Sequence, residues 1–243
     1  MESVIYNDDC FNKFASIHDK SVQLVVVDLP YGQTSCKWDS CIDLEKMWIE
    51  LKRIGKDNCK FVFFCTVKFG NTLINSNPKW FRYDIIWEKS NSVGFLSANK
   101  MPLRNHEMIY IFHNDKKPKN MNWIYNPQKT EGKPYKTIGK GECGIYKQKR
   151  IDDDNKGDRF PVSILKFGFD KKKLHQTQKP LPLCEWLIKT YSNEGDVVMD
   201  FTMGSGSTII ASINTNRKYI GIEKDNDIFL TAEKRIEERL NNI

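Results

Sequence analysis

A chain of 243 residues, 40% hydrophobic and 28% charged, is long enough for one α/β domain with an insertion or for two small domains. No apolar run approaches the roughly 18 residues of a membrane span, and the start MESVIYNDDC lacks the basic and apolar regions of a secretory signal. Seven scattered cysteines without a C-x-x-C pair fit reduced thiols in a cytoplasm better than a disulfide frame, and no histidine or cysteine spacing assigns a metal.

In chain order, VQLVVVD (residues 22–28) reads as a buried strand that stops at a carboxylate, and DLPYG follows it. CIDLEKMWIELKRIG places Leu44, Met47, Trp48, Leu51 and Ile54 on one helical face, with Gly55 as a C-terminal stop. KFVFFC is a strand, VKFGNTLINS a helix, and RYDIIWEK and HEMIYIFH are strands. Residues 114–160 hold Gly, Pro, Asn and Lys with little period and read as irregular. Alternation returns with LPLCEWLIKTYS as a helix, DVVMDF as a strand, SGSTIIASINT entering a helix, RKYIGIEKD as a strand and DIFLTAEKRIEERL as a closing amphipathic helix. Strand–helix alternation on both sides of an irregular insert predicts a doubly wound, mostly parallel sheet.

Charge is concentrated in that insert. Residues 113–173 carry 16 Lys and Arg against 8 Asp and Glu, a net +8, which leaves −1 for the remainder of a +7 chain. A polyanion such as nucleic acid is the partner such a cluster suits, and a solvated surface loop is the plain alternative. Trp123, Tyr125, Tyr135 and Tyr146 in the insert are expected mostly to pack its small core.

DVVMDFTMGSGSTIIAS is a strand, a tight glycine turn and a helix start, and Glu223, at the end of the next strand, lies 19 residues past Gly204. That is the spacing at which a second-strand carboxylate meets ribose hydroxyls. The third glycine of a dinucleotide fingerprint is absent, because Ile209 stands there, and no G-K-[ST] phosphate loop exists. A nucleoside without a pyrophosphate fits, and the cationic S-adenosylmethionine would suit the carboxylates Asp200 and Glu223. Taken alone, the glycine turn is an ordinary strand-to-helix connection.

The whole pattern resembles the amino-group DNA methyltransferases of the β arrangement, in which a D-P-P-Y-type motif precedes the target-recognition region and the cofactor motif. DLPYG resembles the catalytic motif, NDDC the G-D-C step with Asp9 at the acid, HQTQKP (175–180) the H-P-T-Q-K-P motif, and MDFTMGSGST the D-P-F-x-G-S-G-T motif. Leu29, Gln176 and the pair Phe201–Thr202 depart from the family pattern.

The resemblance implies an α/β fold of the S-adenosylmethionine-dependent methyltransferase type. It also implies transfer of a methyl group to the N6 amine of an adenine flipped out of double-stranded DNA. Asp28, Leu29, Pro30 and Tyr31 would carry the chemistry. Asp28 and the Leu29 carbonyl would accept the amine protons, and Tyr31 would stack on the base. Asp9, Asp28, Thr177, Lys179, Asp200, Phe201, Gly204, Ser205, Gly206, Ser207, Thr208 and Glu223 would hold the cofactor. The expected organisation is a catalytic half over 1–112, a target-recognition insert over 113–173 with Lys171, Lys172 and Lys173 on DNA, and a cofactor half over 174–243. N4-cytosine chemistry, action on RNA or a protein amide, and an inactive DNA-binding module are the competing readings. A homodimer and a cognate restriction nuclease stand among the partners that this resemblance admits. Asn105–Glu107 also resembles a family segment but is assigned no chemistry.

Overall fold

The computed structural model describes residues 3–32, 41–113, 124–139, 142–143, 148–149, 152–170 and 178–242. They divide into two compact units, residues 1–126 with 163–243, and residues 127–162.

The larger unit opens with β1 (Val4–Asn7), α1 (Cys10–Phe14), β2 (Val22–Asp28) and α2 (Leu44–Ile54). It continues with β3 (Gly55–Cys65), α3 (Val67–Ser76), β4 (Phe81–Val93) and β5 (Arg104–His113). Six short strands, β6 (Thr130–Glu131), β7 (Tyr135–Thr137), β8 (Glu142–Cys143), β9 (Gln148–Lys149), β10 (Asp153–Asn155) and β11 (Asp158–Arg159), follow in the smaller unit. The chain then returns through β12 (Ile164–Phe167), α4 (Leu181–Tyr191), β13 (Val197–Asp200), α5 (Ser207–Asn214), β14 (Lys218–Glu223) and α6 (Asn226–Leu240).

The main sheet has the order β1-β14-β13-β2-β3-β5-β4-β12. Its pairs are parallel except β3–β5 and β4–β5. Six of the seven β2 residues are fully buried, as expected of a strand covered on both faces. Because successive side chains point to opposite faces, Val25 and Val27 pack with Met47, Trp48 and Leu51 of α2, while Leu24 and Val26 pack with Leu183, Leu187 and Ile188 of α4. The result is the expected three-layer arrangement, helices on both faces of a mostly parallel sheet.

Local chemistry explains the helix ends. Asp43 accepts the Lys46 N–H at 3.1 Å and starts α2; Thr66 does the same for α3 through Phe69 N at 3.2 Å. Gly55 ends α2 as predicted, but the chain enters β3 there without a turn, since its φ of −70° and ψ of 135° are already extended. Gly70 lets α3 approach the sheet: a Cβ at that position would lie 2.0 Å from the Tyr110 ring.

Two departures from the sequence reading matter. The smaller unit spans Pro127–Val162, inside the 113–173 segment, and β12 joins the main sheet beside β4 with Ile164 opposite Ile86. Of the insert aromatics, Tyr125 and Tyr135 are exposed rather than core residues. Tyr125 lies 6.3 Å from the Tyr191 ring, and Tyr135 donates to Asp153 at 3.0 Å while the Arg159 guanidinium lies over its face. Trp123 and Tyr146 lie outside the described residues.

Candidate active site

The chain leaves β13 through α5 toward β14, and leaves β2 through α2 toward β3, in opposite directions along the sheet. A crevice for ligands opens at such a switch point, beyond the carboxyl ends of the strands. Three carboxylates stand there on three adjacent strands: Asp28 ends β2, Asp200 ends β13 and Glu223 ends β14. The sequence-predicted catalytic and cofactor carboxylates are thus brought to one edge.

Asp28 is held from both sides. Tyr31 donates its hydroxyl to Oδ1, and Lys179 donates to Oδ2 at 2.5 Å. Lys179 also lies 3.0 Å from Glu107 Oε1, and Lys89 lies 2.7 Å from Glu107 Oε2. The four side chains Asp28, Lys179, Glu107 and Lys89 form a charge-balanced row. These side chains are 24%, 11%, 13% and 15% exposed, respectively. Glu107 Oε1 is close to the ammonium but receives no aligned N–H. Burial pushes the Asp28 carboxyl above the ordinary aspartate value, against the pull of Lys179. Burial also opposes the charged form of Lys179, but Asp28 and Glu107 outweigh it and hold the ammonium protonated. Glu107, noted in the sequence as part of a family-like segment but assigned no chemistry, and Lys89, not singled out there, are the functional candidates the structure adds. The available signal was a charged residue at the mouth of each of two apolar strands, IIWEK and HEMIYIF.

The rest of the DLPYG turn is tightly placed. Leu29 is buried at 2% exposure, and the Tyr31 ring packs on Phe69 with centroids 5.1 Å apart. The Asp28 carbonyl accepts the Thr202 hydroxyl at 3.1 Å, which ties the catalytic strand to the glycine turn. The departure from the usual Pro-Phe pair therefore has a structural use: the threonine bridges two halves of the site.

In the glycine turn, Gly204 has φ +52° and open space around its would-be Cβ, while its N–H donates to Glu223 Oε2 at 3.0 Å. Gly206, at φ +80°, caps α5. Ser205 and Ser207 are buried and held by Arg235 of α6, which reaches the Ser205 carbonyl at 2.9 Å and Ser207 Oγ at 3.2 Å. Asp200 accepts the Thr202 N–H at 3.1 Å; burial, opposed by the Thr208 hydroxyl, pushes its carboxyl up to about 7. Burial raises Glu223 as well. Asp9 caps α1 through Phe11 N at 3.0 Å and pairs with Lys224 at 3.0 Å, one residue beyond Glu223.

Phe201 is the residue not brought to the site. Its ring is 2% exposed and packs edge-on against Phe14, 5.3 Å away, so its contribution is to the core. Pro30 follows Leu29 in the turn, and Thr177 and the lysines 171–173 lie outside the described residues. Among the described residues, no cluster of His, Cys, Asp and Glu is arranged to hold a metal, and no helix is long and apolar enough to cross a membrane.

These features suit S-adenosylmethionine. The open Gly204 backbone offers close approach, Glu223 stands at ribose distance along the chain, and among the described residues no ion pair is made by the buried Asp200 carboxyl, which a sulfonium or ammonium ligand would complement. Fold and site together define an S-adenosylmethionine-dependent methyltransferase. The solved M1.HpyAVI–SAM complex shares this fold, with a TM-score of 0.65 at 24% identity over 95% of this chain and 98% of that one. The cytosine-N4-specific PvuII DNA methyltransferase superposes with a TM-score of 0.67 at 14% identity, over 99% and 92% of the two chains.

The N6/N4 methyltransferase family model, described as DNA methylase, matches residues 22–234, and the chain belongs to that family. Type II methyltransferase M1.MboII of Moraxella bovis is 28% identical over 90% of each chain. Type II methyltransferase M.HindIII of Haemophilus influenzae is 24% identical over 100% of this chain and 97% of its own. The chain is a DNA methyltransferase that uses S-adenosylmethionine.

Proposed function

We propose that the methylated atom is the N6 amine of adenine in duplex DNA. The observation that supports this most is Asp28: a half-buried carboxylate, at the switch point and tied to the glycine turn, at the motif position where the amino-group methyltransferases that the sequence resembles usually carry serine when they act on cytosine. The exocyclic amine of adenine is a weak nucleophile because its lone pair is delocalised into the ring. Asp28 accepts one of its N–H groups, and the Leu29 carbonyl accepts the other, which draws the nitrogen toward tetrahedral geometry. Both Asp28 oxygens already have one donor, and a carboxylate has about four lone-pair sites, so capacity remains. Bound S-adenosylmethionine supplies an electrophilic methyl group. Once alkylated, the amine carries one proton too many, and the same carboxylate, made more basic by burial, is placed to take it. Lys179, held protonated by two carboxylates, fixes the direction of the Asp28 side chain. Tyr31 lies beside it as the stacking partner for an extruded base.

The 113–173 segment is proposed as the target-recognition region, with Lys171, Lys172 and Lys173 on phosphates. Neutralising all three is expected to weaken DNA binding and to flatten its dependence on salt. An unchanged slope would remove them from the interface.

The product itself is the test of the main reading. DNA methylated by the purified protein, digested to nucleosides and examined by mass spectrometry, is expected to contain N6-methyladenine. N4-methylcytosine as the sole product would overturn the assignment.

A further inference from the structure

The antiparallel pair β4–β5 runs past the carboxyl edge of the sheet. Trp87 faces Glu107 at the level of the site, and the ladder continues through Glu88 opposite His106 and Val93 opposite Arg104. Beyond it lies a closed tip. Gly94, at φ +93°, starts a short 3₁₀ turn over Phe95–Ser97, and Ser97 N, Ala98 N, Lys100 N and Met101 N all bond back within the tip. The tip is therefore a built element with its own hydrogen bonds. What it presents is apolar: Phe95 is 82% exposed, Leu96 97%, Met101 60%, Val93 49% and Leu103 43%. Isolated exposed apolar side chains need no explanation, but five in eleven residues on one projection mark an interaction surface.

Charge and position indicate the occupant. From residue 90 to 106 the sequence holds Lys100 and Arg104 and no acidic residue. The same β5 strand carries Glu107, which contacts Lys179 and, through it, Asp28. At about 3.3 Å per residue, Leu103 lies roughly 13 Å along the strand from Glu107. β5 is separated from β2 only by β3, a lateral offset of roughly 10 Å. A duplex that delivers a base to Asp28 must lie across this edge, within reach of the tip. Extruding a base leaves a gap in the stack, and Phe, Leu and Met are the side chains that fill such gaps.

We propose that the hairpin tip Val93–Leu103 inserts into the duplex beside the target, with Phe95 and Leu96 occupying the space of the extruded base and Lys100 and Arg104 on the flanking phosphates. This rests on the reading of the chain as a base-flipping DNA methyltransferase and adds the element that holds the flipped state open.

The test uses the double variant Phe95→Ser/Leu96→Ser of the full chain, on a site first located by sequencing DNA that the wild-type protein has modified. Two duplexes are compared, one with the target normally paired and one with the target opposite an abasic position, where extrusion costs little. On the paired duplex, single-turnover methylation is expected to fall about tenfold or more, the scale of losing a base–aromatic stack. On the abasic duplex it is expected to return to within about twofold of wild type, with cofactor affinity unchanged on both. Equal losses on the two duplexes would overturn the proposal. So would a wild-type dimer that becomes monomeric in the variant, because a second copy would then be the occupant. Absence of methyl transfer by the wild-type protein to any DNA would instead overturn the methyltransferase reading itself.

Discussion

Asp28→Ala is expected to slow methyl transfer by about two to three orders of magnitude, the usual scale for removing one preorganised electrostatic contact from a transition state. The variant loses the acceptor for the target amine and the group that takes its proton. Binding of S-adenosylmethionine should largely survive, because the open backbone of Gly204 and the carboxylates of Asp200 and Glu223 remain. Leu29→Pro is the matching control. It restores the family's usual residue and keeps the backbone carbonyl through which position 29 acts, so its rate should fall little. Single-turnover methylation at saturating cofactor measures both. An Asp28→Ala protein near the wild-type rate would remove Asp28 from the chemistry.

Lys179→Met should cost more in stability than any surface change. It leaves the Asp28 and Glu107 carboxylates buried side by side, with Lys89 alone to balance them. Breaking a buried pair in this way typically costs about 3–5 kcal/mol. The penalty depends on pH with a definite sign. Without the ammonium, the Asp28 carboxyl, already raised by burial, goes higher, and Glu107 loses one of the two lysines that hold it low. The folded state then binds more protons than the unfolded chain, and stability falls as pH rises through the folded Asp28 value. The deficit against wild type should therefore be small in acid and large at neutral pH. Adding Glu107→Gln removes one of the two charges and should recover much of the loss. Denaturant melts of the three proteins at several pH values measure this. A deficit in Lys179→Met that does not change with pH would show that the row Asp28–Lys179–Glu107–Lys89 does not act as a charge network.

Much of this was legible in the residues, for physical reasons that differ by element. The strand VQLVVVD announces itself because burial on both faces demands a continuous β-branched run, and it ends where predicted, at Asp28. Helix α2 does so through a single apolar stripe of Leu44, Met47, Trp48, Leu51 and Ile54, four of which are buried. By contrast, β1 has four residues and no fully buried one, too short for a period to show, and the strand is made by pairing with β14. β12 alternates exposed and buried residues beside lysines and loops, and only the free edge of β4 turns it into a strand. At the site, Asp28, Asp200 and Glu223 could be located because motif spacing and strand ends coincide. The link from Lys179 to Glu107 could not, because it joins residues 72 positions apart through side chains whose neighbours are set by the register of β4 on β5. The misplacement of Phe201 has a similar origin: a motif fixes a position in the turn, while the core decides which way a ring points.

The order of strands carries a consequence for how the chain is made. β13 and β14, which separate the edge strand β1 from β2, are the last strands to be synthesised. The bond from Thr202 to the Asp28 carbonyl closes a loop of 174 residues. At translation rates of 5–20 residues per second, roughly ten to thirty-five seconds separate the two partners. During that interval β1 has no neighbour, and one edge of the apolar β2 is bare. The nascent N-terminal half therefore exposes a row of unpaired backbone groups, the template on which other chains aggregate. Its completion waits for non-local pairing, which is slow. Yield in a cell is then governed by the lifetime of that open edge as well as by the stability of the finished fold, and the C-terminal quarter acts as the insert that seals the sheet.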